Sequence, residues 1–231
     1  MVAVGFDFDH TLGLDHGLER RALGRLAERL GAPIDLASAA ETARLEHLLQ
    51  PFRSAVLPMD AMIARFVASL EPPLDAANGA ASALANEYRE ICYDLVDELV
   101  VALDGARELL EALVTAGVRV GILTNGWSQL QEKKIARAIG AFPGPILVSD
   151  VIGAYKPSSD AFRQLERALG CSASELWYVG DNPVADIGGA QAYGVRAIWL
   201  DRDGIPYPAD LAPPDARVEN LTDVLAIIRG S

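Results

Sequence analysis

Two aspartates, Asp7 and Asp9, close the short apolar run Val2-Ala3-Val4-Gly5-Phe6 with one phenylalanine between them. A run of that kind reads as a buried strand, and buried strands rarely carry acids by accident. Ionised carboxylates are costly to desolvate, so the pair needs a cation, hydrogen bonds or exposure at the strand's open end. A divalent metal meets that need best. Three more segments carry residues of matching chemistry: Thr124-Asn125-Gly126, Lys156-Pro157 behind the loop Gly153-Ala154-Tyr155, and Gly180-Asp181-Asn182 followed by Asp186.

The elements around these segments give them a common address. From Leu103 onward the pattern alternates helix and strand: helix 106–116, strand 118–123, helix 129–139, strand 146–148, helix 161–169, strand 176–179, helix 185–192 and strand 197–200. Strands that are nearly continuously apolar, alternating with helices, predict a parallel sheet covered on both faces. Ligands of such sheets bind outside the carboxyl ends of the strands. Asp7 and Asp9 end the first strand, Thr124 to Gly126 the second and Gly180 to Asn182 the fourth, with Lys156 after the third. Three or four carboxylates, one hydroxyl at a helix start and one lysine around one small pocket suit a magnesium ion (Mg2+) and a phosphate.

Between Leu12 and about Val101 the pattern is helical, with no convincing strand. Leu23, Leu26, Ala27 and Leu30 share one helix face that ends at Gly31 and Pro33. Further helices are predicted over 36–49, 60–70 and 75–101, broken by Pro51, Pro58 and Pro72-Pro73. The predicted fold is therefore α/β, a Rossmann-like doubly wound parallel sheet with a helical cap domain inserted after strand 1. Residues 1–13 and 102–231 form its core, and residues 14–101 form the cap.

Composition sets outer limits. The 231 residues are 51% hydrophobic and 23% charged, enough chain for a sizeable core. A formal charge of −12 argues against nucleic acid or an anionic membrane as partner, since those attract basic surfaces. Cys92 and Cys171 lie far apart and belong to no Cys/His cluster, so both read as core or semi-buried thiols in a reducing compartment. The chain starts with a strand rather than a basic-then-apolar signal, and no apolar stretch is long enough to span a bilayer. A cytoplasmic monomer or homodimer is expected.

Taken in order, Asp7-Phe8-Asp9-His10-Thr11, Thr124-Asn125-Gly126, Lys156-Pro157 and Gly180-Asp181 through Asp186 resemble the four motifs of haloacid dehalogenase-like (HAD) hydrolases. The resemblance covers the whole core and the position of the inserted cap. Leu123-Thr124-Asn125-Gly126-Trp127 with Gln129-Leu130-Gln131, and Asp186-Ile187-Gly188-Gly189-Ala190, look most like the branch with nucleoside 5′-monophosphate, acylneuraminate-phosphate and phosphoglycolate phosphatases. The resemblance implies a phosphatase acting on a small phosphorylated metabolite. Asp7 would attack phosphorus to give an aspartyl-phosphate, and Asp9 would serve as acid and then base. Magnesium would take the Asp7 and Asp181 carboxylates and the Asp9 carbonyl, with Asp186 holding a bound water or orienting Lys156. Thr124 and the amides of Asn125 and Gly126 would bind phosphoryl oxygens, whose charge Lys156 would neutralise. Thr11 would brace the loop.

Plainer roles compete. Thr124 is also a favourable helix N-cap and Asp186 a favourable first-turn acid. His10 should face away from its neighbours, Trp127 could wall the pocket, and Trp177 and Trp199 read as core. Arg44, His47, Arg53 and Arg65 could meet an anionic substrate, but each is more often a solvated helix-face charge. Among enzymes, Asp9 argues against a dehalogenase or a phosphonatase, whereas a phosphomutase keeps both acids. A receiver-like module lacks the second acid and the cap. A catalytically silent binding protein would survive loss of Asp9, where a phosphatase would not.

Overall fold

The structure, a computed structural model, describes residues 2–71, 80–202 and 204–230. Six parallel strands form one sheet in the order β5 (Ile146–Val148), β4 (Arg119–Thr124), β1 (Ala3–Phe6), β6 (Leu176–Gly180), β7 (Arg196–Leu200) and β8 (Ala216–Val218). β1 is central. Phe6 pairs in register with Ile122 of β4 on one side and Val179 of β6 on the other. From β1 the chain builds outward through β4 and β5, then crosses back to build β6, β7 and β8. The order of winding therefore reverses at β1, which is where an open α/β sheet leaves a crevice at its carboxyl end.

Helices α5 (Ala106–Thr115), α6 (Ser128–Ile139), α7 (Ser149–Ile152), α8 (Ser159–Leu169), α9 (Gly189–Tyr193) and α10 (Val224–Arg229) connect or follow these strands. α8 is the most strongly two-faced of them. Ala161, Phe162, Leu165 and Leu169 repeat at helical spacing and are all buried, against a charged outer face. They join Tyr178, Ile187 and Trp199 in the core, where the Phe162 and Tyr178 rings meet edge to face with centroids 5.1 Å apart. Each large side chain so buried contributes about 1.5–3 kcal/mol. Trp177 and Trp199 are buried, as expected, and Cys92 and Cys171 are not joined in a disulfide, one being buried and one half-buried.

The chain divides into two compact units. One comprises Met1–Asp15 and Val101–Ser231, the other His16–Val100. The second unit is helical: α1 (Leu18–Arg29), α2 (Ala39–Arg53), α3 (Met59–Ala68) and α4 (Ala80–Leu99). The start of the helix expected from Asp75, and the Pro72-Pro73 break, lie outside the described residues. Two arginines singled out in the sequence are engaged within this unit. Arg44 pairs with Glu41, and Arg53 donates to Glu19 (2.5 Å) and Glu46 (2.7 Å).

Three local differences from the sequence reading have physical causes. α2 starts at Ala39 instead of Leu36, because Asp35 folds 35–38 into a turn and Ser38 caps the helix at the Glu41 amide. The same helix runs through Pro51 to Arg53: a proline in the last turn forfeits one backbone hydrogen bond without ending the helix there. At the unit boundary a two-residue ribbon forms, β2 (Gly13–Leu14) antiparallel to β3 (Val101–Ala102), where no strand was expected.

Candidate active site

Asp7 lies one residue beyond β1. Its amide donates to Val179 O (2.9 Å), extending the ladder one step, and the side chain is buried at the carboxyl end of the sheet. The chain then turns tightly. The amides of Thr11, Leu12 and Gly13 all donate to Phe8 O at 3.2, 2.9 and 2.9 Å, and His10 takes φ 62. Thr11 is fully buried in that turn, while His10 is exposed.

The segments that follow β5 and β6 converge on Asp7. Lys156 is buried, and its Nζ donates to Asp7 Oδ1 (2.6 Å) and Asp186 Oδ1 (2.7 Å). Asp186 also accepts from the Asn182 amide through Oδ2 (2.9 Å). Helix formation after β6 begins as a wider, π-helical turn, Pro183–Gly188, in place of the regular helix expected from 185. Asn182 caps that turn through the Val184 and Ala185 amides (3.0 and 2.9 Å), and this geometry folds Asp186 back over Asn182. Carboxylate oxygens of Asp7, Asp181 and Asp186 lie within 4.8 Å of one another. The Asp181 carbonyl is held in turn by the indole N–H of Trp199 (3.0 Å).

Electrostatics in this cluster are unbalanced. Burial pushes the Asp7 carboxyl up to about 7; Lys156 opposes the rise, and Asp186 and Asp9 add to it. Burial likewise pushes Asp181 up to about 8, with Asp186 and Asp7 adding and Lys156 opposing. Burial alone would lower the Lys156 ammonium, but Asp186 and Asp7 prevail and hold it well above the usual lysine value. Three carboxyl groups thus face one ammonium, so that full ionisation would leave two negative charges uncompensated, and the raised acids hold protons in their place. A set of oxygen-only donors with that deficit fits a hard divalent cation such as Mg2+.

Not every expected residue faces this cluster in the expected way. The side chain of Asn125 clamps the Lys156 backbone, donating to Lys156 O (3.0 Å) and accepting from Lys156 N (2.9 Å). The Gly126 amide donates to Ser149 Oγ (2.9 Å) instead of pointing at a phosphate, and φ 144 at Gly126 is what a glycine permits. Thr124 is buried beside them, and Trp127 is half-buried as the residue before α6. The Asp9 carboxylate stands outside the cluster of three: Gln131 Nε2 donates to Oδ2 (2.8 Å), and Lys134 pairs with Oδ1. Lys134 and Ser149 escaped the sequence reading, and Gln131 entered it only as part of a motif, with no role assigned.

Among the site's glycines, Gly180 is packed more tightly than Gly126. A Cβ there would lie 2.4 Å from the Asp186 carboxylate, which is itself fully buried. Gly180→Ala is expected to displace Asp186, at a cost of roughly 1–3 kcal/mol. Chemical denaturation measures that cost, and a loss below about 0.5 kcal/mol would contradict the close fit.

Comparison with known proteins agrees with this geometry. A family model described as haloacid dehalogenase-like hydrolase matches residues 1–194. The chain is 31% identical to the phosphoserine phosphatase of Thermus thermophilus, over 94% of this chain and 95% of that protein. It is 30% identical to the HAD-hydrolase YfnB of Bacillus subtilis over 96% of this chain and 94% of that one. The crystal structure of YfnB bound to magnesium superposes with a TM-score of 0.79, at 24% identity and 98% coverage of both chains. A 2-haloacid dehalogenase from Pseudomonas syringae superposes with a TM-score of 0.70 at 28% identity, covering 100% of this chain and 99% of that one. The chain belongs to the haloacid dehalogenase-like hydrolases, and it is an enzyme of that family.

Proposed function

We propose that this protein is a magnesium-dependent phosphomonoester hydrolase that acts on a small phosphorylated metabolite through an aspartyl-phosphate on Asp7. The observation that carries this reading is the buried cluster in which Lys156 bridges Asp7 and Asp186 beside Asp181. The likeness to a phosphoserine phosphatase along nearly the whole chain supports the choice of a phosphate ester.

Asp7, Asp181 and Asp186, with the Asp9 carbonyl, would hold Mg2+, which when bound supplies positive charge against the carboxylates and the incoming phosphate. The Asp7 carboxylate attacks phosphorus, which splits one difficult displacement into two easier ones. Lys156, already 2.6 Å from Asp7, neutralises charge on the phosphoryl oxygens as it is transferred. Thr124 and the Asn125 amide bind those oxygens, and Asn125 also fixes the lysine through its side chain. Asp9 protonates the leaving alkoxide and then takes a proton from the water that attacks the aspartyl-phosphate, a contribution of about 10²–10⁴. A dehalogenase expels a halide, which needs no proton, so Asp9 favours the phosphatase over the activity named for the Pseudomonas syringae neighbour.

Phosphate release from a panel of sugar phosphates, nucleoside monophosphates and small phosphorylated acids tests the reading, run with Mg2+ and with EDTA. Turnover that EDTA removes supports it; equal turnover in EDTA overturns the metal dependence.

The raised acids also set a pH dependence. A carboxyl whose folded value lies above its unfolded value of 3.8 adds stability at low pH, and that stability is lost as pH rises through about 7 for Asp7 and about 8 for Asp181. The metal-free fold is thus penalised above about pH 8, and Mg2+ must displace protons to bind below it. Magnesium is expected to raise Tm more near pH 8.5 than near pH 6, with its apparent Kd at least about tenfold weaker at the lower pH. Thermal melts with and without Mg2+ check this, and a gain that does not grow with pH contradicts it.

A further inference from the structure

Two buried polar side chains on α6 are unused in the reaction as described. Gln131 and Lys134 are 4% and 2% exposed. Three residues apart, they share one helix face, on the side where Leu130, Ile135 and Ala138 supply the apolar contacts. A helix face that packs into a core does not place an amide and an ammonium there without partners, because each costs several kcal/mol to bury unpaired. Their partners are specific. Gln131 Nε2 donates to Asp9 Oδ2 (2.8 Å) and to Asn125 O (3.1 Å), while Lys134 pairs with Asp9 Oδ1 and donates to Asp15 Oδ2 (3.1 Å).

Each Asp9 oxygen therefore meets one fixed partner, Oδ2 the Gln131 amide and Oδ1 the Lys134 ammonium as an ion pair. A carboxylate offers about four acceptor sites, so lone pairs remain for a reacting proton. Asp15 gives Lys134 a second carboxylate that anchors the ammonium independently of Asp9. The Asp9 carboxylate, two residues from Asp7, is thereby kept out of the cluster Asp7, Asp181 and Asp186.

We infer that Gln131 and Lys134 are positioning residues that hold the Asp9 carboxylate turned away from the acidic cluster, so that it is spent on proton transfer and not on the metal. The inference rests on the hydrolase reading above. Without the two donors the free carboxylate would turn to the cation, where it would make a ligand and lose its reach to the leaving group. Loss of a merely structural contact would weaken the cluster and the chemistry together. Loss of positioning separates them.

The test compares wild type, Lys134→Met and Gln131→Leu on two substrates, the best alkyl phosphate of the panel and 4-nitrophenyl phosphate, with Mg2+ affinity measured by calorimetry. An alkoxide needs a proton to leave and nitrophenolate does not. For Lys134→Met, kcat/KM is expected to fall about a hundredfold on the alkyl ester and less than about fivefold on the aryl ester, with Mg2+ bound as tightly or more tightly. Gln131→Leu is expected to show the same selectivity at about tenfold, and it decides the matter if Lys134→Met does not fold. Equal losses on the two esters, no loss on either, or weakened Mg2+ binding would overturn the inference while wild-type turnover leaves the hydrolase reading intact. Absence of wild-type turnover on both esters would overturn the reading and the inference together.

Discussion

Asp7→Asn is expected to lower turnover by at least about 10⁴-fold while the protein keeps or gains stability without Mg2+. The two effects have one cause. Burial and the neighbouring Asp186 and Asp9 push the Asp7 carboxyl up to about 7, so at neutral pH the fold pays to keep a charge there. An amide has the same shape and no charge, and Lys156 keeps its 2.7 Å bond to Asp186. What the amide cannot do is attack phosphorus and leave again as a carboxylate. Phosphate release and a thermal melt on the same preparation check both halves. A variant that retains a tenth of the activity would contradict the nucleophile assignment, and a marked fall in Tm would contradict the electrostatic account.

Lys156→Met should do the reverse to stability. Methionine matches the stem but leaves Asp7 and Asp186 without their shared ammonium, inside a site where both are buried. Removing one partner of a buried ion pair costs about 3–5 kcal/mol, because the remaining charge is uncompensated. For a chain of this size that corresponds to a Tm lower by roughly 10 °C. The deficit should shrink as pH falls from about 7 to about 5.5, since a protonated Asp7 no longer needs the lysine. Mg2+ should recover part of it for the same reason. Denaturant titrations at the two pH values provide the measurement, and a loss below about 1 kcal/mol at neutral pH would show that the bridge is not what holds these acids.

The fold was legible where local pattern and global architecture agree. Strand 146–148 and the helix ending at Leu169 appear where apolar runs and α8's two-faced pattern put them. β8 and α10 were not read, since a charged Arg217 interrupts the apolar run of β8 and the six residues of α10 make fewer than two turns. The gathering of Asp7, Lys156, Asp181 and Asp186 was also legible, because strand ends in a parallel sheet share one rim. The exact partners were hidden. Nothing local to Asn125 reveals that its side-chain carboxamide is taken up by the Lys156 backbone, or that Ser149 accepts from Gly126, because both bonds span more than twenty residues of sequence. For Gln131 and Lys134 a signal did exist: two polar residues interrupt the apolar face of α6. Read with the 3.6-residue period, that interruption marks a buried polar partner, and the partner proved to be Asp9.

The central claim is a phosphoryl group carried on Asp7, and rapid acid quench during turnover tests it most directly. Peptide mass analysis of the quenched protein should find one added phosphoryl group on the peptide that contains Asp7, formed with Mg2+, absent with EDTA and absent in Asp7→Asn. Steady turnover with no phosphoryl group on that peptide at any quench time, or the group on another residue, would contradict the account.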